Sequence, residues 1–309
     1  MINKKKKVLI TTSTFGQFSE ALRKLRSNDL KAIPNIYKRK VTEDELFNLL
    51  KAEKPAGLIA GTEQINAHTL REARGYLKVI SRVGVGWDNI DHEAAASMGI
   101  KIYRTADAVT QAVAELALGL ILDLLRKISC TDRNLRMRSW NKLMGNLLAG
   151  KKVGVIGFGR IGRRLTRLLK PFRVEIAYYD LSGKIKNSGV KSMSLERLLG
   201  WADIVTLHVS EKPNAPAILN EKRLHLMKKG SWLINTSRGS VIDEKALYRA
   251  LKSGRLAGAA LDVFAQEPYA GKLSSLDNVV LTPHIGSYAS EARAQMEMEA
   301  VDNLLKGFK

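Results

Sequence analysis

Two observations predict an α/β protein of two domains. A run from Lys152 to Asp180 reads as strand, tight turn, helix, turn and second strand. Along almost all of the 309 residues, short apolar segments alternate with amphipathic ones. The length is enough for two domains with real cores. Hydrophobic content of 45% and charged content of 26% are those of an ordinary globular chain.

The run at Lys152 carries most of the information. Val153, Val155 and Ile156 are the β-branched, apolar residues of a buried parallel strand. Gly157-Phe158-Gly159-Arg160-Ile161-Gly162 follows directly, and Ile161, Leu165, Leu168 and Leu169 then recur at helical spacing. Gly157 serves the tight turn, Gly159 the close approach of backbone to a pyrophosphate, and Gly162 the packing of helix on strand. The helix N-terminus adds unpaired N–H groups and a positive dipole end. Pro171 closes the helix, and a strand from Val174 leads to Asp180, placed to take the hydroxyl pair of a ribose. A carboxylate there repels a ribose phosphate, so the expected cofactor is NAD. A glycine-rich turn alone would be weak evidence. The ordered series of strand, glycines, helix, strand and acid is much stronger.

The totals exclude several classes. One cysteine, Cys130, allows no internal disulfide and has no metal-ligand companions, so no metal is expected. The start, MINKKKKVLITT, is too briefly apolar for a signal peptide, and no later run is read as long enough to span a membrane. A cytoplasmic enzyme is the expectation. The net charge of +21 suits anionic ligands, but apart from Lys4 to Lys7 the cations are dispersed without aromatic interleaving. Nucleic acid and membrane are therefore not expected partners.

In chain order, Val8–Thr12, Gly57–Ala60 and Leu77–Ser81 read as strands of a first α/β domain, and Leu22 and Leu25 belong to a helix. Thr42 followed by Glu45 has the capping-box spacing ahead of Leu46, Leu49 and Leu50. Val109 to about Met137 reads as one long apolar helix. Ile204–His208, Trp232–Asn235, Gly258–Val263 and Val279–Leu281 bring the second domain to about six strands. Ser290 to Leu305 is a last helix expected to cross back to the first domain.

Three polar side chains follow strands of the second domain: Arg238 in INTSRGSVID, Glu267 in LDVFAQEP and His284 in LTPHIGS. In a parallel sheet these are carboxyl ends, the edge where the cofactor lies. Oxidising a 2-hydroxy acid needs a base near neutral pH, which suits His284. Glu267 can hold that imidazole in one tautomer, and Arg238 can clamp a carboxylate with two parallel hydrogen bonds. Singly each reads as a surface or structural residue, as do His68, His92 and His225.

Together with GFGRIG, the runs NTSRG, LDVFxxEP and TPHIG resemble the D-isomer-specific 2-hydroxyacid dehydrogenases. The likeness extends through SRVGVGWDNID, AVAELALGL and WNKLMGNLLAGKKVGVIG, and its phosphoglycerate dehydrogenase branch is favoured by ITTSTFGQ and ISRVGVGWDNID. The resemblance implies a Rossmann-type dinucleotide-binding domain at 103–284 and a smaller flavodoxin-like substrate domain at 1–102, completed by 285–309. It implies that His284 is the acid/base, Glu267 its partner and Arg238 the substrate clamp. Gly61, Thr62 and the backbone of Val83 and Gly84 would meet substrate. Arg160 and Ile161 would lie on the pyrophosphate, Asp180 on the ribose, and His208, Thr236, Asp262 and Ser287 along the rest of the cofactor. It also implies a homodimer formed through the cofactor domains.

Departures bear on the substrate. Gly61-Thr62 stands where phosphoglycerate dehydrogenases often carry Arg-Ser, with Arg82 and Arg104 as candidate substitutes. Ala106 replaces a usual proline, and LHxPxT reads Leu207-His208-Val209-Ser210-Glu211-Lys212. The chain ends soon after the crossing helix, so the C-terminal regulatory domain with which some phosphoglycerate dehydrogenases sense serine is not expected. The leading expectation is oxidation of 3-phosphoglycerate to 3-phosphohydroxypyruvate in serine biosynthesis. The alternatives are a hydroxypyruvate or glyoxylate reductase and, more remotely, a non-catalytic NAD(H) sensor.

Overall fold

Short strands buried on both faces can pair only in parallel sheets covered by helices, and the chain builds two of these. The computed structural model describes residues 5–185, 188–210 and 215–309; Lys4, Glu211 and Lys212 lie outside them. The chain divides into two compact units, Met1–Val109 with Ser287–Lys309, and Thr110–Gly286.

In the first unit the elements are β1 (Lys6–Ile10), α1 (Ser19–Ser27), β2 (Leu30–Ile33), α2 (Glu43–Glu53), β3 (Gly57–Ala60), α3 (Ala67–Glu72), β4 (Val79–Arg82), α4 (His92–Ser97) and β5 (Lys101–Arg104). They form a five-stranded parallel sheet in the order β2-β1-β3-β4-β5, the flavodoxin-like order. The capping box at α2 is present in both directions: Thr42 Oγ1 accepts from the Glu45 N–H, and the Glu45 carboxylate accepts from the Thr42 N–H at 2.9 Å. β2 and β5 escape the sequence reading for a physical reason. Both are edge strands, and each keeps at most one fully buried residue, so no apolar run marks them.

The second unit opens with α5 (Ala108–Arg126, whose first two residues lie in the first unit) and α6 (Ile128–Arg136). There follow β6 (Lys152–Ile156), α7 (Arg160–Leu169), β7 (Glu175–Tyr179), β8 (Lys191–Ser192), α8 (Leu195–Trp201), β9 (Ile204–Leu207), α9 (Glu221–Leu226), β10 (Ser231–Asn235), α10 (Glu244–Lys252), β11 (Leu256–Leu261) and β12 (Val279–Leu281). The seven strands are parallel in the order β12-β11-β10-β9-β6-β7-β8, so the order reverses at β6, as in a Rossmann sheet. The sequence yields six of them. β8 is two partly exposed residues at the sheet edge, too short to carry a pattern.

Side chains alternate across this sheet. Val205, Leu207, Leu233 and Ala259 pack with α8, α9 and α10, while Ile204, Ile234 and Ala260 pack with α5 and α7. The expected single helix from Val109 to Met137 is two helices. Lys127 adopts a left-handed φ of +55°, and the Asp123 carboxylate turns back to accept the Ser129 N–H at 2.7 Å and its hydroxyl, satisfying a donor at the start of α6. The reading that no run could span a membrane is corrected too. α5 is long and apolar enough, but Ala114, Ala117, Leu120, Ile121 and Leu125 are buried against β6 and its neighbours, so it is a core helix of this unit.

The last helix, α11 (Ser290–Gly307), belongs to the first unit and packs on α1, β3, β4 and β5. Its buried Glu297 accepts the Gly16 N–H at 3.0 Å, and Arg293 bonds Thr14, tying the helix to the loop after β1.

Candidate active site

The turn between β6 and α7 forms a cradle. Gly157 has φ +90°, and a Cβ there would run into the carbonyl of His208; one at Gly162 would run into the carbonyl of Gly157. Gly159 faces open space, so its bare backbone is available for close approach. Arg160 and Ile161 open α7 beside it, Arg160 exposed. Asp180 stands at the end of β7, its carboxylate accepting the Phe158 N–H at 2.7 Å and the Ser182 N–H and hydroxyl. Burial works to raise its pKa, but these donors outweigh it and hold the group below the ordinary carboxylate value.

Two buried polar atoms at the same edge have no partner among the described residues, His208 Nδ1 and Thr236 Oγ1. His208 follows β9 with Nε2 2.9 Å from the Thr206 hydroxyl, and burial lowers its pKa to about 4, so the ring is neutral at physiological pH. A glycine cradle, an acid across the turn and orphaned polar atoms at the switch point fit a dinucleotide. Gly157 to Gly162, Asp180, His208 and Thr236 are the residues that would hold it.

Three neighbouring strands deliver the remaining groups. After β10, Asn235 is spent on its own loop: Oδ1 accepts the Ser237 N–H and hydroxyl, and Nδ2 donates to the Arg238 carbonyl at 2.8 Å. Arg238 Nη1 donates to the Ser237 carbonyl at 2.7 Å. Gly239 lies directly against the Phe264–Ala265 backbone, where no side chain could fit. Past β11, the Phe264 N–H donates to Glu267 Oε1 at 3.1 Å. Glu267 Oε2 in turn meets His284 Nδ1 at 2.8 Å. Burial opposes ionisation of Glu267, yet its hydrogen bond and charge pairing with His284, helped by Arg238, leave its pKa lowered. With Nδ1 held by a carboxylate, Nε2 is the nitrogen left to exchange a proton.

His284 has a left-handed φ of +55°. Asp262 stabilises that loop. Its buried carboxylate accepts the Thr282 hydroxyl at 2.6 Å and the Ile285 and Gly286 N–H groups at 2.8 Å each, and burial raises its pKa. Asp262 therefore faces the loop backbone. Ser287 is the next residue along and falls in the first unit. Asn235 and Thr282 were not singled out in the sequence, although both stand inside the motifs that carry Arg238 and His284. Among the described residues no group of three His, Cys, Asp or Glu side chains could hold a metal ion.

The substrate candidates of the first unit follow β3 and β4. Gly61 donates its N–H to the Glu63 carboxylate, and Thr62 is exposed. The Val83 N–H is committed to the Ala60 carbonyl at 2.9 Å and the Gly84 N–H to Thr105 Oγ1 at 2.7 Å. Sheet pairing and Thr105 take both of these donors. Arg82 donates to the Val83 carbonyl, and Arg104 donates to the Val85 carbonyl at 3.1 Å with its guanidinium 4.1 Å from the Trp87 ring centroid.

A Rossmann sheet with its cradle intact, ending beside a carboxylate-held histidine, is the apparatus of a dinucleotide-dependent dehydrogenase. Residues 118–286 match the family description "D-isomer specific 2-hydroxyacid dehydrogenase, NAD binding domain". A glyoxylate reductase of Thermofilum pendens is 41% identical over 280 residues, covering 87% of this chain and 82% of that protein. A D-3-phosphoglycerate dehydrogenase of Haemophilus influenzae is 36% identical over 279 residues, covering 87% of this chain and 68% of its own. The crystal structure of a glyoxylate reductase from Paecilomyes thermophila superposes with a TM-score of 0.89 at 29% identity, covering 98% of this chain and 95% of that one. The chain belongs to the D-isomer-specific 2-hydroxyacid dehydrogenase family and is an NAD-dependent D-2-hydroxyacid dehydrogenase.

Proposed function

We propose that the chain reduces short, unphosphorylated 2-oxo acids of the glyoxylate and hydroxypyruvate type. The observation that carries this reading is the edge of the first unit. Gly61-Thr62 offers no cation after β3, and the guanidinium groups of Arg82 and Arg104 donate to carbonyls of their own loop. A phosphate monoester carries nearly two negative charges and needs such donors. The 41% identity to a glyoxylate reductase points the same way. The 3-phosphoglycerate reading, with its place in serine biosynthesis, keeps the support of the Haemophilus relative and is the second reading. A sensor has no use for a carboxylate-held histidine, so the non-catalytic reading is disfavoured.

The chemistry follows from the side chains. Bound NADH supplies a hydride to C2 of the oxo acid. His284 Nε2 gives a proton to the C2 oxygen, and in the reverse direction takes it from the hydroxyl. Glu267 holds Nδ1 so that Nε2 faces the substrate oxygen, and Arg238 pairs with the substrate carboxylate through its planar fork. Reduction consumes one proton, so the equilibrium shifts toward the hydroxy acid as pH falls.

The reading includes a cytoplasmic homodimer. Support for the dimer comes from the segment after α6, where Met137, Trp140, Met144 and Leu147 leave large apolar side chains exposed.

NADH oxidation by the purified protein with glyoxylate, hydroxypyruvate and 3-phosphohydroxypyruvate at matched concentrations tests the assignment. The unphosphorylated acids should turn over with the higher kcat/KM. His284→Ala should lower kcat about 10³-fold while NADH still binds. Preference for the phosphorylated acid would sink the reading in favour of the second.

A further inference from the structure

The sheet of the first unit reverses its order between β1 and β3, and in open parallel sheets ligands meet the carboxyl ends of the strands flanking such a point. Thr11 and Thr12 follow β1 here; Gly61, Thr62 and Glu63 follow β3. Glu63 is the unusual member. It is 1% exposed, yet its partners are neutral donors only: the Thr11 hydroxyl and the Gly61 N–H, at 3.0 and 3.1 Å from its two oxygens. Among the described residues no ion pair reaches it. Asn89 ties the same turn down by donating to the carbonyls of Gly61 and Glu63.

The carboxylate fills the place a side chain at position 61 would take. A Cβ on Gly61 would lie 2.8 Å from Glu63 Oε2, with Thr12 the next neighbour at 3.5 Å. A longer residue at 61 would therefore have to push the Glu63 carboxylate out of its present place. Thr12 adds an independent sign that this edge faces a ligand, since its buried hydroxyl has no partner among the described residues. A buried charge without a counter-charge acts over a longer range than an exposed one, because little water lies between it and its surroundings.

We propose that Glu63 is a specificity-determining residue whose buried carboxylate, at the junction of β1 and β3, turns away 2-oxo acids that carry a phosphate on the third carbon. This rests on the reading of the chain as a reductase of unphosphorylated acids. Glu63 is assigned no part in hydride or proton transfer. It acts by charge and by occupying the space where a cationic side chain could reach a phosphate.

The test compares kcat/KM for 3-phosphohydroxypyruvate and hydroxypyruvate in the wild type and in Glu63→Gln, which keeps shape and removes charge. The ratio of the phosphorylated to the unphosphorylated acid should rise about tenfold, through KM rather than kcat, and the gain should largely persist at high salt, because a buried charge is screened little. Glu63→Asp should leave the ratio near that of the wild type. Should Glu63→Gln fail to fold, the paired exchange Gly61→Arg with Glu63→Ser removes the clash and should raise the ratio further. A wild type that prefers hydroxypyruvate but whose ratio neither Glu63→Gln nor the paired exchange moves overturns this inference alone. A wild type that already prefers 3-phosphohydroxypyruvate overturns the underlying reading and this inference with it.

Discussion

His208 is placed where a neutral ring is required: Nε2 meets the Thr206 hydroxyl, Nδ1 is buried, and burial lowers its pKa to about 4. The unfolded chain titrates such a ring near 6.5. Between those values the unfolded state binds the proton that the folded state refuses, so stability is full above about pH 6.5 and falls as the pH is lowered toward 4. Urea denaturation at pH 7 and pH 4.5 should show a smaller loss on acidification for His208→Asn than for the wild type. Equal losses would mean that the ring is charged in the folded state. Asp262 illustrates the opposite design. It is a buried acid surrounded by donors, and it serves two backbone N–H groups and a hydroxyl that hold the His284 loop in its left-handed turn.

At the scale of elements, two glycines of the second unit separate packing from binding. A methyl on Gly239 would overlap the Phe264–Ala265 backbone, which cannot give way without moving the Glu267 loop. Gly239→Ala should therefore destabilise the protein by about 2 kcal/mol or more, as overpacked core substitutions do, and should lower kcat because Arg238 and Glu267 shift together. A methyl on Gly159 meets nothing within 4 Å. Gly159→Ala should leave the melting temperature almost unchanged while raising KM for NADH about tenfold, because the added carbon occupies the approach to the pyrophosphate. Thermal melts paired with NADH titrations check both. A stable Gly239→Ala protein or an unaffected KM in Gly159→Ala would contradict the geometry.

For the molecule as a whole, the segment after α6 is the largest concession to water. Trp140 is 80% exposed and Met144 is 87% exposed, and α6 itself buries no residue. Apolar groups of that size seldom stay bare on a monomer. Sedimentation of the wild type should give twice the mass of one chain, and Trp140→Ser with Met144→Ser should shift it toward a single chain. A monomeric wild type would remove the support this segment lends to a dimer. Apart from Lys4 to Lys7, the cations behind the net charge of +21 are dispersed along the sequence, which suits the steering of anionic substrate and cofactor.

What the sequence determined by itself is what local pattern can encode. A β-branched run before GFGRIG must be a strand before a cradle, because neighbouring residues alone set its period and its turn. Arg238, Glu267 and His284 are likewise legible as polar residues just past apolar strands. Tertiary structure decided the rest, because the partners are far apart in the chain. His284 meets Glu267 across 17 residues, Asp262 reaches Gly286 across 24, and Thr11 meets Glu63 across 52. The edge strands β2, β5 and β8 were hidden because an edge exposes what an interior strand must bury, and the break between α5 and α6 depends on one side chain folding back. The commitment of the Val83 and Gly84 N–H groups follows from sheet pairing and Thr105, and no spacing in the chain could have announced it. Local periodicity selects strands and turns; which buried donor meets which acceptor is settled only when the sheets close, since an unpaired polar group in the interior is too costly to leave.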